Sequence, residues 1–399
     1  MAFCLRNRHV AGLFRTFTTA VLSPESKTPL SARAKSRIAR SLLKSENNPE
    51  RVLEICRAAA LSPDFHIDRA ALSAAIFSLT KSNNYSYVKT FIDELRSTRP
   101  DLSNERFDAH AIVLYGQAKM VNHAVDLFKE LHRSMDKGSV KCLNALIFAC
   151  ILSKDFKEMK RVYVEFPKLY NVEPDVETFN RVIKGFCEGG EANSSYSVLT
   201  DMERASVKPN ASTFAEMLKG FYRERKFDDV NKVLQLMKQK YGINPGVPTH
   251  NVRIKSLCLL KRSKEAKKLL DEMLEKGIQP NFITYRELIL GFCMEGDLEE
   301  AKTLFNNMLS RGLEANGDVY FSLAHFLCEA GDFETASRIC QQSIEKGWVP
   351  NFTTMKALVK GLKSQGRVDE AKELIAEVKG KASRKLELWE EIEASIADA

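Results

Sequence analysis

Cys187, Cys258, Cys293 and Cys328 are the first residues here whose type and spacing invite chemistry, because all four share one position of a 35-residue period. A thiolate metal site needs its ligands within a few ångströms of one another. Residues one helical unit apart are separated instead by a helix diameter, ~10 Å. The column therefore reads as a small apolar packing site. The seven histidines are scattered, and none forms a spaced pair with a cysteine. The sequence has no P-loop, GxSxG elbow or HExxH helix, and no zinc-deaminase HxE with a downstream PCxxC. We expect no catalytic residue, no bound metal, no cofactor and no small-molecule substrate.

Lysine offers different chemistry. Lys184, Lys219, Lys255 and Lys360 fall at the ninth position of the same period, with His325 in one of the gaps. The fifth and ninth positions are i and i+4, so on a helix they share one face. A lysine column on the lining helices of a helical array suits phosphate, a contact that fixes register without reading sequence. The net charge of +8 does not explain it. Residues 1–45 hold nine Lys/Arg and one acid, and residues 46–399 balance 51 basic against 51 acidic side chains. Any polyanion site must come from local placement.

The period itself supplies the elements that position these residues. Blocks begin at Lys35, Ala70, Glu105, Val140, Val176, Ala211, Val247, Phe282, Gly317 and Phe352. Eight are 35 residues long, and those starting at Val140 and Ala211 have 36. A small residue recurs at the tenth position (Gly185, Gly220, Ser256, Gly291, Gly361) and alanine at the twentieth (Ala124, Ala266, Ala301, Ala336, Ala371). Methionine follows near the end of the second helix, and proline (Pro209, Pro280, Pro350) ends the block by breaking the hydrogen-bond ladder. Each block predicts a helix–turn–helix hairpin that buries its apolar face only against neighbours. The fold class is all-α, an α-solenoid of about ten repeats with the first two degenerate.

The N-terminus has another character. "MAFCLRNRHVAGLFRTFTTAVLSP" carries Arg6, Arg8 and Arg15, several hydroxyls and no acid before Glu25. That is the composition of an organellar transit peptide, mitochondrial in preference to chloroplast. No apolar run reaches the length of a membrane span, so no membrane partner is expected. Nine cysteines without a framework suit a reducing compartment. The layout is a transit and basic segment at 1–34, the solenoid at 35–386 and a capping helix at 387–399.

"VETFNRVIKGFCEGGEANSSYSVLTDMERASVKPN" and "VPTHNVRIKSLCLLKRSKEAKKLLDEMLEKGIQPN" resemble pentatricopeptide repeats of the P class, and the likeness covers about residues 35–386. "ICRAAALSPDFHIDR" and "ELWEEIEA" are similar to stretches of short plant mitochondrial members associated with the small ribosomal subunit. The resemblance implies a right-handed superhelix in which the fifth and last positions of a repeat together read one RNA base. Carried over, the pairs include Asn144/Asp175, Asn180/Asn210, Asn251/Asn281, Arg286/Asn316 and Phe321/Asn351. Asn144/Asp175 resembles a uridine reader, and the two Asn/Asn pairs look pyrimidine-preferring. Ala215/Gly246 interrupts them. The implied function is non-enzymatic binding of mitochondrial ribosomal RNA, beside proteins of the small mitochondrial subunit, in support of translation. A transcript-specific stability or processing factor and a protein–protein scaffold are the alternatives.

Overall fold

A computed structural model describes residues 31–59, 61, 66–81, 84–98, 104–133, 138–381 and 386–397. The transit segment assigned to residues 1–34 lies almost wholly outside them. Among the described residues there are 21 α-helices and no strand. They pair as hairpins: α1 (Ala32–Leu43) with α2 (Pro49–Ala59), α3 (His66–Lys81) with α4 (Tyr85–Thr98), and α5 (Glu105–Gln117) with α6 (Val121–His132). Next come α7 (Val140–Ser153) with α8 (Phe156–Leu169), α9 (Val176–Glu188) with α10 (Ser195–Arg204), and α11 (Ala211–Arg223) with α12 (Phe227–Gln239). The series continues through α13 (Val247–Leu259) with α14 (Ser263–Glu275) and α15 (Phe282–Glu295) with α16 (Leu298–Ser310). It finishes with α17 (Gly317–Glu329) and α18 (Phe333–Glu345), α19 (Phe352–Ser364) and α20 (Val368–Lys381), and a last helix, α21 (Leu386–Ala397). From Glu105 onward every first helix starts on the first residue of its block.

A left-handed residue marks time along this series. Lys119, Lys154, Gly190, Arg225, Lys261, Gly296, Gly331 and Gly366 all have positive φ, and each is the fifteenth residue of its block. They turn the chain from the first helix into the second. A second such residue (Asn171, Ser206, Gly242, Gly277, Gly312, Gly347) turns it into the next hairpin. The extra residue of the two longer blocks falls between these turns, in the second half of the hairpin.

The chain forms two compact units, residues 1–216 and 217–399, with the division inside α11. In the first unit, His132 ties one hairpin to the next. Its Nδ1 sits 2.7 Å from the Phe128 carbonyl and its Nε2 accepts the Ser139 N–H at 2.9 Å. Its ring stacks on Phe128, which also meets Phe166 and Tyr170. In the second unit the small-residue columns do the packing expected of them. Ala266, Ala301, Ala336, Ala371, Met273 and Met308 are fully buried. A Cβ placed on Gly291 would lie 2.5 Å from Cys258 Sγ, so the cysteine of one repeat fills the space the next repeat's glycine leaves. Burial pushes the thiols of Cys258, Cys293 and Cys328 up to about 12, which keeps them neutral. Helix α21 lays Trp389 and Ile392 against the last hairpin, with Trp389 6.0 Å from the Phe352 ring and Glu391 and Glu393 on Lys356 and Lys379.

Two substitutions test this architecture in opposite directions. Gly291→Ala forces a methyl into the Cys258 contact and should lower stability by about 1–3 kcal/mol. Lys261→Gly relieves a left-handed lysine and should raise it by up to ~1 kcal/mol. Urea unfolding followed by circular dichroism reads both, and equal midpoints for the two variants would refute the packing account.

Candidate nucleic-acid interface

From Asn104 onward, the last residue of a block proves to be the N-cap of the next block's first helix. Asn104, Ser139, Asp175, Asn281, Asn316 and Asn351 each accept an N–H from the third residue of the helix they precede. Asn210 does the same for Thr213 at 3.1 Å. Gly246 has no side chain for it. The recurrence of Asn and Asp there thus has a local cause, satisfaction of an otherwise orphan helix amide.

Three of the caps also engage the fifth position of the preceding repeat, forming triads. Asn251 Nδ2 donates to Asn281 Oδ1 at 3.2 Å, and the Thr284 hydroxyl lies 2.7 Å from Asn251 Oδ1. Asn180, Asn210 and Thr213 repeat the arrangement at 3.4 and 2.6 Å. In the third triad Asn144 Nδ2 donates to Asp175 at 3.1 Å, but the Thr178 hydroxyl turns to the carboxylate at 2.9 Å. Asn144 Oδ1 is left buried and without a partner. Burial alone would raise the Asp175 pKa. The Thr178 N–H, the Asn144 amide and the Thr178 hydroxyl outweigh it and hold the carboxyl below its usual value.

Each unit opens a cavity on this face. In the first, about 620 Å³ is lined by Asn144 and Asp175 together with Arg69, Arg106, Lys141 and Arg181. In the second, about 650 Å³ is lined by Asn251, Lys219 and Lys255 together with Tyr222, Arg223 and Glu287. The fifth and ninth positions expected to cooperate therefore do meet, at Asn251 and Lys255. Lys184 lies instead over the Phe148 ring, 5.2 Å from its centroid and 3.8 Å from Glu188. Lys360 is exposed, and His325 sits 3.4 Å from Glu329.

Arg286 and Phe321 occupy the fifth position without its amide. Arg286 is clasped by its neighbour Glu287 at 2.8 Å, and the same carboxylate lies 3.6 Å from Lys255. Glu287 is 8% exposed. Phe321 packs back over Gly317, whose missing Cβ would meet the Phe321 ring and Trp348. Asn316 and Asn351 serve as caps with no fifth-position amide facing them. Arg69, Arg106, Lys141, Arg181 and Glu287 went unnoticed in the sequence. The signal for two of them was there, since Arg106 and Lys141 both stand at the second position of adjacent blocks.

Residues 174–223 and 245–294 match the model of the PPR repeat family, and residues 283–313 and 353–381 match the PPR repeat. A mitochondrial pentatricopeptide repeat-containing protein of Arabidopsis thaliana is 48% identical over 402 residues, covering 99% of each chain. The small ribosomal subunit protein mL103 (rPPR7) of the same plant is 28% identical over 264 residues, 65% of this chain and 63% of that one. Among solved structures, the pentatricopeptide repeat protein PPR10 from maize aligns at 15% identity and a TM-score of 0.43, covering 94% of this chain and 66% of that one. With 48% identity running through 99% of both sequences, the chain belongs to the pentatricopeptide repeat family of RNA-binding helical-repeat proteins.

Proposed function

We propose that this protein is a non-enzymatic RNA-binding component of the mitochondrial small ribosomal subunit, docked on ribosomal RNA in the matrix beside ribosomal proteins and supporting translation. The observation that carries the reading is the broken fifth-position series. Three amide triads are interrupted by Ala215/Gly246 and followed by Arg286, held by Glu287, and Phe321, packed on Gly317. A linear message needs consecutive amide pairs to be read. A fixed, folded RNA needs shape and backbone contacts, and the cationic side chains around the two cavities are suited to those. The small ribosomal subunit protein among the relatives, at 28% identity, lends support, as does the Arg-rich, acid-poor N-terminus. Two adjacent triads, Asn144/Asp175 and Asn180/Asn210, are the observation favouring a transcript-specific factor instead.

Sucrose-gradient sedimentation of mitochondrial extract decides between them. The protein should travel with the small ribosomal subunit and shift to light fractions when the ribosomal RNA is digested. Persistence in light fractions with crosslinking to one transcript would establish the message-specific reading.

Replacing Lys184, Lys219 and Lys255 together with alanine should weaken RNA binding and reduce the slope of log K against log salt by ~2. An unchanged slope would remove these lysines from the phosphate contact.

The caps need a test that separates folding from reading. Asn281→Ala should cost about 1 kcal/mol of stability through the lost cap, whereas Asn281→Asp keeps the cap. If Asn281→Asp retains its melting temperature yet changes the preferred base in a binding selection, the residue reads RNA. Unaltered base preference would leave it a cap and nothing more.

A further inference from the structure

The left-handed turns between the two helices of a hairpin are of two chemical kinds. Gly190, Gly296, Gly331 and Gly366 are glycine, whereas Lys119, Lys154, Arg225 and Lys261 take the left-handed conformation with φ between 57° and 60°. A Cβ built on any of those four glycines would meet nothing within 4 Å, so packing does not select the residue at such a turn. The backbone does, and it favours glycine over lysine or arginine. Long cationic side chains thus stand at four turns against the local preference, and the property they add is charge.

That charge is not neutralised within the protein. All four side chains are exposed, and among the described residues none makes an ion pair, a hydrogen bond or a ring contact. In the second unit the adjoining Lys226 and Arg262 are held by Glu224 and Glu265 at 2.6 and 2.5 Å, while Arg225 and Lys261 beside them stay free. Asp297 and Asp332 cap the helices that follow two of the glycine turns. The helices after Lys119, Arg225 and Lys261 start without a side-chain cap, so those turns lack the aspartate that would repel an anion. Lys154 alone of the four is followed by one, Asp155. Each unit carries two of the cations on successive hairpins, Lys119 and Lys154 in the first, Arg225 and Lys261 in the second. Lys119 and Met120 from one turn and Ser153 and Asp155 from the next line one cavity of about 500 Å³, so those two turns are neighbours.

We infer that in each unit these hairpin turns form a cationic edge that docks the phosphate backbone of double-helical RNA. The inference rests on the RNA-binding reading and adds a second surface to it, about 15 Å along the first helix from the fifth position. The chemistry of the edge favours a duplex over a single strand. Its recurring groups are cations, which grip phosphate, and no recurring amide stands among them to meet a base. In the second unit the Phe227 ring is covered by the Arg262 guanidinium 4.0 Å away, so it offers no free face for stacking. Double-helical RNA, whose bases are enclosed, is recognised through shape and backbone in this manner. Such contacts carry no sequence information, but they fix how the duplex lies against the protein.

A fully paired RNA hairpin and an oligouridylate of equal length are the probes, titrated into the full chain across a salt series. The variants are Lys119→Gly with Lys154→Gly, and Arg225→Gly with Lys261→Gly. Glycine is what each turn prefers, so the urea midpoint should hold or rise, and lost binding is then not lost folding. Each double variant should weaken hairpin binding about tenfold and lower the slope of log K against log salt by ~1–2. Oligouridylate affinity should stay unchanged. Lys129→Gln with Lys168→Gln, and Lys238→Gln with Lys268→Gln, remove the same charge from exposed lysines of second helices and should leave hairpin affinity unchanged. Equal losses for hairpin and oligouridylate, or equal losses in these controls, would be a diffuse effect of charge and would overturn the edge. Hairpin binding that survives either glycine pair overturns the edge of that unit. A native chain that binds oligouridylate but not the hairpin overturns both edges and leaves the RNA reading standing. If it binds neither RNA, that reading falls with them.

Discussion

The hydrogen bond from the third amide of a first helix back to the side chain before it, made by seven of the eight first helices from Glu105 onward, is the contact on which the rest depends. It decides where a repeat begins, because without it the leading amides of a short helix stay unsatisfied. It also decides what faces the fifth position of the preceding repeat. At Asn281 one oxygen receives the Thr284 amide while the Asn251 amide approaches it at 3.2 Å. The start of one helix and the polar lining of its neighbour are thereby a single constellation. Where the cap is glycine, at Gly246, the opposed residue is Ala215 and the constellation disappears altogether.

Charge in the cavities follows a similar economy of neighbours. Glu287 lies between Arg286 and Lys255, and Glu105 and Glu177 hold Lys141 and Arg181. These pairs are mostly exposed and individually worth ~0–1 kcal/mol. They offset the cations one by one, and each is weak enough to exchange for another partner. Glu287 differs because it is buried. Its carboxylate lies between the two cations beside it, so one face of the Arg286 guanidinium is held by the protein.

Much of this was legible from the period. Helix starts coincide with block starts from Glu105 to Phe352, because caps, small residues and prolines all repeat there. In the first two blocks α1 begins at Ala32 rather than Lys35 and α3 at His66 rather than Ala70. Those blocks lack the periodic cap and glycine that mark the later helix starts. The left-handed turns were half visible. Gly296, Gly331 and Gly366 advertise them, whereas Lys154 and Lys261 adopt the same conformation under tertiary constraint and carry no mark in their type. The cation cluster at Arg69, Arg106 and Lys141 was hidden for another reason. Its members come from the end of one block and the second position of two others, so no single column reveals them.

The same distinction explains why the amide pairs form unevenly along this chain. An amide at the fifth position is supported on both sides only when the cap is Asn or Asp and the next helix carries threonine at its third residue. Thr178, Thr213 and Thr284 meet that condition and are buried. At Asn316 the third residue is Val319, which offers an amide but no hydroxyl, and the facing side chain is Arg286. Asn351 keeps Thr354, yet the residue opposed is Phe321, which has nothing to accept its hydroxyl. Losing either partner removes the second hydrogen bond that orients the amide, and a freely rotating amide discriminates bases poorly. The Asn column therefore marks helix starts, and at Asn210 and Asn281 it also meets a fifth-position amide.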